Sequence, residues 1–157
     1  MPRRGYKRQP VGLDPVHESH EVAKLVNYVM QDGKKSVAQR QVYAAFDAIK
    51  EAKLDPMEVL QKAIAHVAPA KEVKPKRVGG ASYLVPIDTR QQRKVFLALN
   101  WIINAAQARS NKQYKTFGQK LQAELIDAYN NQGEAVNKRL QVEKLAAANK
   151  AFAHFNW

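Results

Sequence analysis

The segment 70–88 limits the possible folds most, because it is rich in strand-forming residues and yet contains two prolines. Its two halves flank GGAS at residues 79–82, which is the pattern of a β-hairpin with its turn there. Pro75 lies in the first half and Pro86 in the second. Proline has no N–H to donate to a neighbouring strand, so neither strand can be central in a larger sheet. The segment therefore predicts an isolated two-stranded β-ribbon.

The chain on both sides of this segment shows the spacing of amphipathic helices, with apolar side chains recurring every three or four residues. We expect three helices over residues 19–69 and three over 89–147, so that the ribbon connects the third helix to the fourth. Residue types that cap helices stand at four expected starts: Ser36, Asp55 (followed by Pro56), Thr89 and Thr116. The expected fold class is mainly α, a single helical domain of about six helices with a protruding two-stranded β-ribbon.

Both ends of the chain lack this helical spacing. Residues 1–18 contain three prolines and a basic cluster, which predicts an N-terminal arm. Residues 148–157 contain Phe152, Phe155 and Trp157 without an amphipathic pattern, which predicts a C-terminal tail. A length of 157 residues suits one domain that includes the arm, the helices, the ribbon and the tail.

The charge balance is strongly basic, with 26 Lys and Arg against 14 Asp and Glu and a formal net charge of +12. Basic residues crowd the arm, the turn after the first helix, the ribbon, residues 90–94 and the loop 109–115. Only one acid, Glu72, lies between Glu58 and Asp88. Such a surface repels itself unless a polyanion supplies the opposite charge, so a nucleic acid is the expected partner.

The sequence offers no constellation for catalysis, for a cofactor or for a metal. Cysteine is absent, and neither a Walker motif nor a G-x-G-x-x-G pattern occurs. His17 and His20 lack further ligands nearby, and Glu124 with Asp127 is more typical of a solvated helix face. We therefore expect neither an enzyme nor a cofactor-binding protein. No apolar stretch is long enough for a membrane span, and none follows the start as in a signal peptide.

Two kinds of nucleic-acid partner remain open on the residues alone. A free architectural DNA-binding protein also combines a helical body with basic ribbon arms that enter the minor groove. Here the expected tip of the ribbon is GGAS over residues 79–82, which contains no apolar wedge to part base pairs. This alternative is therefore weaker than an RNA partner.

Three stretches in order along the chain carry a family resemblance. They are DGKKS at 32–36, RVGGASYLVP at 77–86 and ANKAFAHFNW at 148–157. With them, almost the whole chain resembles the bacterial-type small-subunit ribosomal protein seven family. The ending departs from that family, which usually has tyrosine and arginine where Phe155 and Asn156 stand.

The resemblance implies a structural constituent of the small ribosomal subunit that binds the 3′ major domain of its ribosomal RNA. It implies that the protein nucleates assembly of the subunit head. The ribbon would lie at the subunit interface, near the exit-site transfer RNA and the messenger RNA path. Small-subunit proteins nine and eleven would be neighbours, and the chain would not form a homo-oligomer in the subunit. A cytoplasmic ribosome, or an organellar one, is the expected location.

The resemblance also implies which residues face RNA. In the arm, the first turn and the later loop these are Arg3, Arg4, Lys7, Arg8, Lys34, Lys35, Lys112 and Lys115. In the ribbon the residues that would face ribosomal or transfer RNA are Lys74, Lys76, Arg77, Gly79, Gly80 and Tyr83.

Overall fold

The computed structural model describes residues 11–155, and most of these residues are helical. The helices are α1 (His20–Val29), α2 (Lys35–Glu51), α3 (Pro56–Val67), α4 (Gln91–Ala108), α5 (Phe117–Tyr129) and α6 (Glu134–Ala148). Strands β1 (Lys71–Val78) and β2 (Ala81–Asp88) form an antiparallel ribbon between α3 and α4. A short 3₁₀ helix, Lys150–Phe155, follows α6, and we call it the tail helix. The expected fold class is confirmed.

Two of the expected helix starts are confirmed by their capping bonds. At α3 the side chain of Asp55 accepts a hydrogen bond from the backbone N–H of Met57 at 3.1 Å, and Pro56 is the first helical residue. At α5 the hydroxyl of Thr116 and the side chain of Gln119 cap each other's backbone N–H groups, which makes a complete capping box.

The other two expected caps, Ser36 and Thr89, are wrong. Helix α2 begins at Lys35, so Ser36 already lies in its first turn. Helix α4 begins at Gln91, because Thr89 still belongs to the base of the ribbon. The backbone N–H of Thr89 donates to the carbonyl of Ala70 at 3.1 Å, which closes the ribbon rather than opening the helix.

The core lies between the helices, and α5 packs against α2, α3 and α4. Its large apolar side chains are fully buried, among them Phe46, Leu60, Leu99 and Leu125. Gly118 permits a close approach of α5 to α2. A Cβ atom at this position would lie 3.0 Å from the carbonyl oxygen of residue 41, tighter than ordinary van der Waals contact.

The ribbon pairs in register from Lys71 opposite Asp88 to Val78 opposite Ala81. Its two-residue turn is Gly79-Gly80, with φ angles of 58° and 92°. Both values lie in the left-handed region, which glycine adopts without a steric penalty. The tip is exposed.

The base of the ribbon is not free of the helical body. Val85 is fully buried, and β1 packs against α6. On the other side, β2 packs against the tail helix, with the ring of Tyr83 5.1 Å from that of Phe152 and 5.4 Å from that of Phe155. The tail helix therefore covers part of the outer half of the ribbon, at Tyr83, and the exposed tip lies beyond it. The tail, which showed no pattern in the sequence, has a defined place beside the ribbon.

The described part of the expected arm, residues 11–18, also contacts the body. Asp14 is only 2% exposed, and its carboxylate accepts hydrogen bonds from the Tyr43 hydroxyl at 2.8 Å and from the backbone N–H of His17 at 3.0 Å. The ring of His17 packs edge-on against Tyr43 and Phe46. The segment beside α1 thus belongs to the packed structure rather than to an arm. Residues 1–10 of the expected arm lie outside the described residues.

Candidate nucleic-acid interface

The turn between α1 and α2 presents Lys34 and Lys35. Asp32 and Gly33 both adopt left-handed φ angles there, of 51° and 72°, so the chain reverses tightly before α2 begins. The Lys34 side chain is 70% exposed, and its Nζ lies 3.9 Å from a carboxylate oxygen of Asp32. Lys35 is exposed at the first position of α2. Both lysine side chains are therefore exposed to solvent at a tight turn.

The loop between α4 and α5 presents Lys112 and Lys115, which are also exposed. The backbone N–H of Lys112 donates to the Ser110 hydroxyl at 3.2 Å. The backbone N–H of Lys115 donates to the side-chain oxygen of Gln119 at 3.0 Å, which ties this end of the loop to the capping box of α5. The loop backbone is thus held while the ammonium groups remain accessible.

These two connections flank one groove of about 400 Å³. Lys34 and Val37 line one side of it, and Gln107 and Phe117 line the other. Of the four candidate lysines on these connections, Lys34 lines the groove, and Lys35, Lys112 and Lys115 are exposed on the connections that flank it. We call this surface the loop face and define it by Lys34, Lys35, Lys112 and Lys115.

The candidate residues of the ribbon divide into two groups. Arg77, Gly79 and Gly80 are exposed near the tip. Lys74, also exposed, lies nearer the base, where its Nζ is 3.6 Å from a carboxylate oxygen of Glu72.

The second group contacts the tail helix. Tyr83 packs against the two phenylalanine rings, and Lys76 donates a hydrogen bond from Nζ to the carbonyl oxygen of Phe155 at 3.0 Å. Lys76 and Tyr83 therefore stabilise the ribbon against the tail in this arrangement.

A second basic surface lies where the ribbon meets α4. Lys74, Arg90 and Arg93 line a groove there, and Arg93 also donates to the carboxylate of Glu72 at 3.1 Å. The family resemblance did not mark Arg90 and Arg93 as candidates, although their place in a basic cluster directly after the ribbon was the available signal. We call this surface the ribbon face and define it by Lys74, Arg90 and Arg93.

The two faces lie at opposite ends of α4. The ribbon precedes Gln91, and the α4–α5 loop follows Ala108. This helix has 18 residues, which at 1.5 Å per residue corresponds to roughly 27 Å. Any single nucleic acid that contacts both faces must span about this distance.

In the sequence Arg109 belongs to the basic cluster of the loop. In the structure its guanidinium pairs with two acids of the protein. Its guanidinium donates to the carboxylate of Glu124 at 2.6 and 2.9 Å and also contacts the carboxylate of Asp127. Burial opposes the charged form of Arg109, but the hydrogen bonds to Asp127 and Glu124 outweigh it and raise the pKa above its usual value. Glu124 is 1% exposed, so the expectation that this acid is solvated is wrong.

Within residues 11–155 no three His, Asp or Glu side chains are grouped as a metal site would require. None of the helices described there is both long enough and apolar enough to cross a bilayer.

A small helical body that displays two cationic faces and a basic ribbon defines a protein of the nucleic-acid-binding class. The sequence model of the family described as ribosomal protein S7p/S5e matches residues 1–150. Small ribosomal subunit protein uS7 of Moorella thermoacetica is 51% identical to the chain, and its counterparts in Thermotoga neapolitana and Thermoanaerobacter sp. are both 48% identical. Each comparison covers 100% of both chains. The chain belongs to the ribosomal protein S7p/S5e family.

Family membership confirms the resemblance seen in the sequence. It makes this chain a protein of the small ribosomal subunit, associated with ribosomal RNA and with other ribosomal proteins in the cytoplasmic ribosome. It also confirms that the chain is a structural protein and not an enzyme.

Proposed function

We propose that this chain binds the 3′ major domain of the small-subunit ribosomal RNA through the loop face and the ribbon face, and thereby nucleates assembly of the subunit head. The observation that carries this proposal is the exposure of Lys34, Lys35, Lys112 and Lys115 on the two connections that flank one groove. Only one ion pair, from Lys34 to Asp32, involves these four side chains among the described residues. Their charge is therefore largely uncompensated within the described structure.

A phosphate backbone supplies the missing negative charge. Lysines that neutralise phosphates release condensed counterions from the nucleic acid, which makes binding favourable and dependent on salt. The groove between the two loops adds a concave surface with Val37 and Phe117 in its walls. Such a shape suits a folded RNA with loops and junctions, whose splayed bases and 2′-hydroxyls distinguish it from a regular duplex.

The ribbon has a further role in this proposal. We infer that its exposed tip reaches toward the exit-site transfer RNA and the messenger RNA path, while its base rests against the body. The support is the family membership together with the exposure of Arg77 and the Gly79-Gly80 turn. Contacts with small-subunit proteins nine and eleven, and the RNA-binding role of Arg3, Arg4, Lys7 and Arg8, remain predictions of the resemblance.

A binding titration with a head-domain ribosomal RNA fragment tests the RNA-binding part of the proposal. The first variant is Lys112→Ala with Lys115→Ala, which removes two cations from the loop face. The matched control is Lys50→Ala with Lys62→Ala, which removes the same charge. These control lysines already pair with acids, at 3.9 Å to Asp47 and 2.6 Å to Glu58.

We expect the loop-face variant to bind the fragment at least severalfold more weakly than the control variant. Wild-type protein should also bind the fragment more tightly than a DNA duplex of equal length at the same salt concentration. Equal affinity of the two variants would contradict the loop face as an RNA-binding surface. Tighter binding to the duplex would instead favour the architectural DNA-binding alternative.

A further inference from the structure

We propose that Glu124 is a positioning residue for RNA binding: it fixes the start of the α4–α5 loop so that Lys112 and Lys115 project from the loop face. This inference rests on the proposed function. Glu124 itself is only 1% exposed, so we infer no direct contact between its side chain and RNA. It acts through Arg109, which follows α4 directly and is the first residue of the loop.

The contacts of Glu124 use both of its carboxylate oxygens. One oxygen accepts two hydrogen bonds from the Arg109 guanidinium, at 2.6 and 2.9 Å. The other accepts the backbone N–H of Ala135, in the first turn of α6, at 3.1 Å. A charge-assisted pair of this geometry, shielded from solvent, is strong and directional. One buried side chain thus connects the end of α4, the middle of α5 and the start of α6.

The backbone at Gly133 comes close to the carboxylate of Glu124. A Cβ atom on Gly133 would lie 3.0 Å from the Oε1 atom of Glu124 and 3.2 Å from the Cβ of Asp127. Gly133 also has a φ of 92°, which other residues adopt only with strain. The chain therefore approaches Glu124 closely on the side opposite Arg109, and the carboxylate is confined between them.

Arg109 extends this connection into the loop. Its Nη1 atom lies 3.4 Å from the Tyr114 hydroxyl, and the centre of its guanidinium lies 5.7 Å from the Tyr114 ring. Residues 110–113 between these two positions are not buried, so core packing contributes little to their placement.

Different interactions thus fix the two ends of the loop. The capping box at Thr116 holds the second end, and the Arg109–Glu124 pair holds the first. Loss of the pair frees the first end without disturbing the cap.

The test substitution is Glu124→Gln in the full chain. A glutamine has the same shape but only one acceptor oxygen, so its NH₂ group must face either Arg109 or the N–H of Ala135. The readouts are the hydrogen-exchange rates of the amides of residues 110–115 and the affinity for the head-domain RNA fragment. Both are measured again with Lys112→Ala and Lys115→Ala in the same chain. Glu58→Gln is the control, since it removes an exposed acid that contacts Lys62 and not the loop.

We expect E124Q to speed exchange in the loop and to weaken RNA binding by roughly tenfold, a coupling within the range seen for residues that act as a unit. In the chain that also lacks Lys112 and Lys115, E124Q should cause no further loss of affinity. E58Q should change neither readout. If E124Q does not fold, Asp127→Asn replaces it, because Asp127 is 41% exposed and also contacts Arg109. D127N should show the same changes on a smaller scale.

The positioning role is overturned if loop exchange is unchanged in a folded variant, or if the affinity loss is the same with and without the two lysines. If the removal of Lys112 and Lys115 alone leaves affinity at the wild-type value, the loop face itself fails as an RNA-binding surface. That result would also overturn an RNA role for Glu124. Unchanged exchange together with weak binding of the lysine variant overturns the positioning role alone.

Discussion

The hydrogen bond between Tyr43 and Asp14 shows how single residues attach the N-terminal segment to the body. Tyr43→Phe removes one donor to a buried carboxylate that retains the backbone N–H donors of Val16 and His17. We expect a loss of about 1–2 kcal/mol in the free energy of unfolding, because a hydrogen bond to a charged group is removed and its desolvation remains. Urea denaturation at neutral pH measures this loss.

The same pair predicts a dependence on pH. Burial and the neighbouring Asp14 raise the pKa of Tyr43 from 10.0 to about 12. The folded state therefore favours the protonated phenol, and this contribution to stability is fully present below pH 10 and is lost as the pH rises to 12. Y43F lacks this titration, so its stability should fall less than that of the wild type across this interval. Parallel pH profiles of the two proteins would contradict the assignment.

Among single residues, those that act through long-range partners escaped the sequence analysis. Glu124 and Asp127 share a helix face, and the sequence alone made solvation their natural interpretation. The decisive partner, Arg109, lies 15 residues before Glu124 and was grouped with the basic residues of the loop. A pattern along one helix cannot show that an arginine from another segment folds onto it.

At the scale of elements, the tail helix and the ribbon stabilise each other. We expect a chain that ends at residue 148 to keep its helices and to lose protection in the outer half of the ribbon. Contacts between aromatic rings contribute roughly 0.5–1.5 kcal/mol each, so two lost contacts at Tyr83 lower the free energy of ribbon opening by about 1–3 kcal/mol. Hydrogen exchange of the amides in 76–84 measures this opening, and circular dichroism measures the helices.

Two full-length variants complete this test. Phe152→Ala with Phe155→Ala should reproduce the effect of truncation, because it removes only the rings that cover Tyr83. Lys150→Ala should leave the ribbon protected, since this residue is exposed at the start of the tail helix. Normal ribbon exchange in the truncated chain would show that Val85 and the packing of α6 suffice to hold the ribbon.

Features whose sequence signal lies within one turn of the chain were predictable, and features that depend on distant segments were not. The Asp55-Pro56 start and the Thr116–Gln119 box lie within a single turn, and both were found from the sequence. The predicted helix cap at Thr89 is wrong because the backbone N–H of Thr89 donates a hydrogen bond to the carbonyl of Ala70 across the ribbon. The ribbon was predicted from its glycines and prolines, whereas its contact with the tail depends on tertiary packing that no local pattern encodes.

At the scale of the whole molecule, the loop face and the ribbon face lie roughly 27 Å apart, at the two ends of α4. The Debye length is about 8 Å at physiological ionic strength, so charges on one face scarcely influence the other through solvent. The two faces should therefore contribute independently to RNA binding, each through its own phosphate contacts. Short-range coupling is expected only within a face.

The dependence of RNA affinity on salt concentration tests this independence. Each phosphate contact contributes a log–log slope of roughly −0.7 to −0.9, so a loop-face variant lacking Lys112 and Lys115 should have a slope shallower by about 1.4–1.8. A ribbon-face variant, Lys74→Ala with Arg90→Ala, should show a similar decrease, and the combined variant should show the sum of the two. The control Lys50→Ala with Lys62→Ala should keep the wild-type slope although its net charge falls equally. An equal change of slope in all the variants would mean that net charge, and not the arrangement of the two faces, determines binding.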